Sequence, residues 1–82
     1  MALKDLQVLV LTMEECGELI RACSKIIRHG TTNDKHIKNL VEELGDVDAM
    51  IRSLRKSHNI DDSVHEERVN MRLSKMEKPD YV

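Results

Sequence analysis

The chain has 82 residues, a formal net charge of -2 with 34% charged residues, and a single aromatic side chain, Tyr81. That length allows one domain at most, 1-82, with a thin core of Leu, Ile, Val and Met, so the chain is expected to complete its core by pairing with copies of itself, as a homodimer or homotetramer. The balanced charge lacks the basic excess that nucleic-acid binding needs, and no apolar run reaches membrane-spanning length; Lys4 and Asp5 interrupt the layout of a signal peptide, so cytoplasmic residence is expected, with no nucleic-acid or membrane partner.

A first helix is predicted over about Leu3 to His29, where Val8, Leu9, Cys16, Leu19, Ile20, Cys23, Ile26 and Ile27 recur mostly at three-to-four spacing. Thr12 is the polar member of that stripe, and its hydroxyl can bond back to a carbonyl of the preceding turn. Cys16 and Cys23 lie two turns apart on one helix, too far to bridge each other, and are expected as small buried apolar residues. Gly30 suits the left-handed conformation of a helix end, and Thr31-Thr32-Asn33-Asp34 offers N-cap side chains for the next helix.

The second helix is predicted over about Asp34 to Ser57, with Ile37, Leu40, Leu44, Val47, Ile51 and Leu54 as its core stripe. A joint this short between long helices makes an antiparallel hairpin. Asp48 falls on the expected core side, as a polar subunit contact or part of a pocket. Arg52, Arg55 and Lys56 suit the negative end of the helix dipole. A shorter third helix is predicted from near Ser63, where Ser63-Val64-His65-Glu66 has the spacing of a capping box, to about Glu77, with Pro79 as its stop. His29, His58 and His65 fall at helix ends without ligand spacing, so surface or capping roles are expected. The class is all-α: a long antiparallel hairpin plus a shorter third helix, assembling into an oligomeric bundle.

Chemistry is concentrated in two acidic clusters, Glu14-Glu15-Cys16-Gly17-Glu18 and Glu42-Glu43-Leu44-Gly45-Asp46. At about 100° per residue, Glu15 and Glu18 project about 60° apart, as do Glu43 and Asp46, each pair beside its apolar stripe. Cys16 and Leu19 follow Glu15, and Leu44 and Val47 follow Glu43, on the expected buried side; Glu14 and Glu42 turn toward solvent. On antiparallel neighbours these margins face each other, and four carboxylates that close repel unless a cation neutralises them. Oxygen-only ligation suits Mg²⁺ or Mn²⁺. Gly17 and Gly45 cost helix stability and are expected to permit close helix approach. The plain alternative is a solvated Glu-rich face, as a non-catalytic helical assembly protein would carry.

The pattern Glu15-x-x-Glu18, a helix-turn-helix spacer, then Glu43-x-x-Asp46, together with the strings EECGE and EELGDV, resembles the MazG-like branch of the all-α nucleoside triphosphate pyrophosphohydrolases. Asn70-Met71-Arg72-Leu73-Ser74-Lys75-Met76 is similar to the helix-3 segment that supplies an asparagine and basic residues to the substrate. The resemblance implies hydrolysis of NTP or dNTP to the nucleoside monophosphate and pyrophosphate. It implies Glu15, Glu18, Glu43 and Asp46 as Mg²⁺ ligands, an activated water attacking the α-phosphorus, and Glu14 or Glu15 orienting or deprotonating that water. Phosphoribosyl-ATP pyrophosphohydrolase is the enzymatic alternative.

Asn70 is expected on one flank of the Val69-Leu73-Met76 stripe, with Arg72 and Lys75 on the other, so that a neighbouring chain receives one side or some of the three are plain surface groups. Along the hairpin, antiparallel packing brings Lys25 toward Asn39 and His36, and Leu11 and Gln7 toward Met50. Phosphates are then expected at the Lys25 end, with small Ala22 leaving room, and the base near Leu11 and Met50; ordinary solvent-facing packing is the alternative.

Overall fold

A computed structural model describes residues 1–80 as three helices, α1 (Leu3–His29), α2 (Asp34–Ser57) and α3 (Asp62–Met76), with no strand among them. Both long helices keep the bounds read from the sequence, because local groups fix their ends. Gly30 adopts φ 75° and its N–H closes α1 onto the Ile26 carbonyl at 2.8 Å. Asn33 caps α2, its side-chain oxygen accepting from the Lys35 N–H at 2.9 Å. At the far end Asn59 takes φ 52°, a left-handed value that asparagine tolerates, and the Ile60 N–H returns to the Arg55 carbonyl at 2.9 Å.

The start of α3 differs from the expected capping box. Asp61, rather than Ser63, is the N-cap: its carboxylate accepts from the Ser63 N–H at 2.8 Å and from the Ser63 hydroxyl at 2.7 Å. The box spacing at Ser63 competed with an Asp two residues earlier, and a carboxylate satisfies the orphan N–H while complementing the helix dipole.

The two long helices pack on each other as an antiparallel hairpin, whereas α3 barely touches them. The molecule is correspondingly flat, 43 × 32 × 16 Å. On α1 the row turned to α2 is Val8, Thr12, Glu15, Leu19, Ala22 and Ile26; on α2 it is Leu40, Glu43, Val47, Met50 and Leu54. Steps of three and four alternate along both rows, the repeat of a coiled-coil seam. Thr12 sits in that seam with its hydroxyl donating to the Val8 carbonyl at 2.7 Å, as expected from its place on the stripe. Only Ala22 is fully buried among the described residues, at 1% exposure.

Half of the stripe expected to be core therefore points away from the hairpin. Ile20 and Ile27 are 70% and 85% exposed, and Cys16, Cys23 and Leu44 are exposed too, so the cysteines are not buried within one chain. The apolar arc of α1 is wider than one helix can cover, and α2 covers only one edge of it. Asp48 also lies outside the seam, exposed and paired with Arg52 at 2.8 Å, one turn on. Gly17 and Gly45 do not serve close approach within the hairpin, since a Cβ on either would meet nothing within 4 Å.

Two polar contacts tie α3 to α2. Arg55, in the last turn of α2 as expected, also donates to Nδ1 of His65 at 2.7 Å and pairs with Asp62 at 3.4 Å, contacts that the surface or capping role expected of His65 did not include. His58 accepts or donates through Nδ1 at 2.8 Å from the Ser57 hydroxyl.

Candidate metal centre

Glu15 and Glu43 occupy adjacent layers of the seam itself, not its margin. Both are half-buried in rows that otherwise hold Leu19, Val47 and Leu40. Asp46 follows one turn after Glu43 on α2 and is exposed, and one carboxylate oxygen from each of Glu15, Glu43 and Asp46 lies within 4.8 Å of the others. Two helices thus bring three acids to one point, with the open side at Asp46.

The electrostatics follow from that convergence. Burial and then the neighbouring charges of Asp46, Glu15, Glu18 and Glu42 push the Glu43 carboxyl above its ordinary value. Oε2 of Glu43 is buried without a hydrogen-bond partner. A carboxylate oxygen left in this state costs stability unless a proton or cation meets it. A donor set made wholly of carboxylate oxygens suits a hard divalent ion, and Glu43 brings to it a carboxylate with one oxygen still unpartnered.

Glu18 is near enough to act on Glu43 but lies outside this group of three; it is half-exposed and turned to Arg21 at 3.4 Å, an i,i+3 pair on the helix surface. Glu14 is exposed on the turn beside Glu15. Lys25 is half-buried near the hairpin turn, close enough that its charge acts on His36. Ala22 does not leave room for a ligand there: it is the residue over which the two helices close.

The α3 residues stand apart from the acids. Asn70 and Lys75 line one shallow groove, together with Glu66, Met71 and Ser74, while Arg72 lines the opposite groove with His65, Arg68 and Leu73. The division differs from the expected one, which set Lys75 beside Arg72. Long side chains reach around the helix, so the flank of the Cβ does not decide the groove. Both grooves are lined by residues of α3 and, in the first, by Lys78 just after it, with none from the hairpin.

One contact escaped the sequence reading. The rings of His29 and His36, which flank the hairpin turn, stack with centroids 4.9 Å apart and planes 11° from parallel. Only closure of the turn brings them together, and the available signal was one histidine on each side of Gly30–Asn33.

Residues 4–78 match the family described as the MazG nucleotide pyrophosphohydrolase domain, nearly the whole chain. No curated protein and no solved structure gives a significant match. No helix among the described residues is long and apolar enough to cross a membrane.

Proposed function

Since the chain belongs to the MazG nucleotide pyrophosphohydrolase family, we propose that it hydrolyses nucleoside triphosphates to the monophosphate and pyrophosphate with Mg²⁺, or Mn²⁺ in its place. The observation that carries the reading is the convergence of Glu15, Glu43 and Asp46 around the unpartnered Oε2 of Glu43. These three would hold the divalent ion, and Glu18 would be the fourth carboxylate within reach, its exposed pair with Arg21 contributing little. When bound, the ion offsets the phosphate charge and activates the α-phosphorus toward attack.

The chain's own groups do the rest. Glu14 or Glu15 accepts a proton from the attacking water, whose oxygen bonds to the α-phosphorus in line as the bridging oxygen to the β-phosphorus departs with pyrophosphate. Lys25 draws the phosphates toward the hairpin turn. On α3, the helix least attached to the hairpin, one side (Asn70 with Lys75, or Arg72) reaches substrate held by a second copy. Self-association follows from the same physics: a chain with one fully buried core residue among the described residues and exposed Ile20, Ile27, Val41 and Leu44 gains its core from another chain. Cytoplasmic residence suits such a nucleotide enzyme.

The test is pyrophosphate release from a panel of NTPs and dNTPs, with Mg²⁺ and with EDTA. Magnesium-dependent release with monophosphate as co-product supports the proposal. Release of orthophosphate instead means that a different bond is cut, and no release from any of the panel removes the reading in favour of phosphoribosyl-ATP or a non-catalytic assembly.

A further inference from the structure

Both rows of the hairpin seam end in histidine at the turn. On α1 the row Leu19, Ala22, Ile26 reaches His29 three residues on, and on α2 the row Leu40, Glu43, Val47 is preceded by His36 one turn earlier. The two rings meet as the last layer before the turn at residues 30–33, with centroids 4.9 Å apart and planes 11° from parallel. His36 is half-buried, where a leucine or isoleucine would continue the stripe, and His29 is exposed.

Neutral rings suit this layer and charged ones do not. Two neutral imidazoles stack as flat, largely apolar faces, whereas two imidazolium ions at that separation repel. The surroundings add to the repulsion. Between residues 25 and 42 four bases, Lys25, Arg28, Lys35 and Lys38, stand against two acids, Asp34 and Glu42, a net of +2. Burial first, then the His29 ring, Lys35, Lys25 and Arg28, hold His36 below the ordinary imidazole value. His29, Lys25 and Arg28 act from α1 and Lys35 from α2, while α3 joins α2 at its opposite end, at Arg55. A base held down in the folded form contributes stability that is full above its unfolded value, about 6.5, and is lost as pH falls through its folded one.

We propose that the stacked His29–His36 layer is a proton-operated latch on the hairpin turn, closing the last layer of the seam when both rings are neutral and opening it when they take up protons. The latch is independent of the nucleotide chemistry. It lies close to the acidic centre all the same, since Leu40 is the one position of the α2 row between His36 and Glu43. Opening of the turn therefore loosens the seam within a single layer of Glu43. Protonation of Glu43 itself acts in the opposite sense, because its carboxyl is pushed up and a proton there relieves the crowded acids. The latch is thus read at the turn rather than in the melting of the whole chain.

The test is amide hydrogen exchange of the full chain in EDTA between about pH 5.5 and 8, corrected for its intrinsic pH dependence, together with the histidine ring resonances. The Gly30 and His36 N–H groups, which close onto the carbonyls of Ile26 and Asn33, should lose protection as pH falls below about 6.5, whereas the amides of Val47 and Ile51 keep theirs. His36→Leu continues the apolar row without a titrating group, so its turn should stay protected throughout. His36→Arg carries its charge at every pH and should leave the turn open even at the upper end of the range. His29→Gln, at an exposed position, should raise the pH at which the His36 ring titrates and make the loss of protection shallower. Turn protection that does not change with pH overturns the latch, and so does an equal loss at Val47, which means general unfolding. An unaltered pH dependence in His36→Leu also overturns it. If that variant does not fold, His29→Gln decides alone, and an unmoved His36 titration removes the proposal.

Discussion

On α1, Val8, Leu19, Ala22 and Ile26 face α2, whereas Val10, Met13, Ile20 and Ile27 face outward, although both sets recur at three- and four-residue intervals. The inner set is interrupted by Glu15, the outer set by nothing charged between Leu6 and Ile27. The face that carries the acidic cluster is thus the one already paired, and the cleaner apolar face is the one a single chain leaves open. An acid is tolerated in the seam because Glu43 and Asp46 stand opposite it and a cation can hold all three. The outer stripe has no such use for charge and remains wholly suited to another chain.

The largest effect is expected from the inner face. Glu43→Gln removes the proposed central ligand and should lower kcat/KM with Mg²⁺ on the order of a hundredfold or more. In EDTA the same variant should melt no lower than the wild type, because it also removes the crowded charge, and it should lose the rise in Tm that Mg²⁺ gives the wild type. Retained activity with a retained Mg²⁺-dependent rise in Tm would move the metal centre elsewhere.

The outer face is broken with Ile20→Asp. A side chain 70% exposed in one chain costs little to replace there. If another copy covers it, a charge at the contact splits the assembly. Light scattering should give a single-chain mass near 9.5 kDa for the variant and at least twice that for the wild type at micromolar concentration. A wild type of single-chain mass would falsify the assumed role of the stripe.

Ala22→Leu sharpens the contrast two residues further on. The alanine is 1% exposed in the seam, so a larger side chain should cost about 1–3 kcal/mol through overpacking, read as a lower Tm. An unchanged Tm would mean that the helices part freely at the turn end.

The smallest effect lies in α3. The Ser63 hydroxyl and then the Ser63 backbone N–H hold the Asp61 carboxyl below its ordinary value. A depressed acid contributes stability that is full above its unfolded value and is lost as pH falls through its folded one. Far-UV circular dichroism should therefore show helical signal declining below about pH 4, and Asp61→Ala should remove that part of the pH dependence together with a little helicity at neutral pH. A variant with the same acid profile as the wild type would assign the cap to another group.

Much of this molecule is local and so could be read along the chain. Gly30, Asn33 and the His58-Asn59 step end or start helices through their own backbone preferences, and α1 and α2 run between them as the sequence indicates. The two acidic clusters, with the family they resemble, were likewise legible, because spacing on a helix fixes which side chains share a face. The helix-3 cap was missed where two side chains two residues apart could serve.

What the sequence by itself determined is therefore the all-α class, the bounds of the two long helices and the two acidic clusters that face one seam. Tertiary structure alone decided which edge of a broad apolar arc meets its neighbour. It placed Glu15 and Glu43 inside the seam, left Cys16, Cys23 and Ile20 outside, turned Glu18 to Arg21, and stacked His29 on His36. The physical reason is rotational. An arc wider than one contact fits several rotations of the helix about its axis, and only the partner helix, through close approach at a small residue such as Ala22, selects one of them.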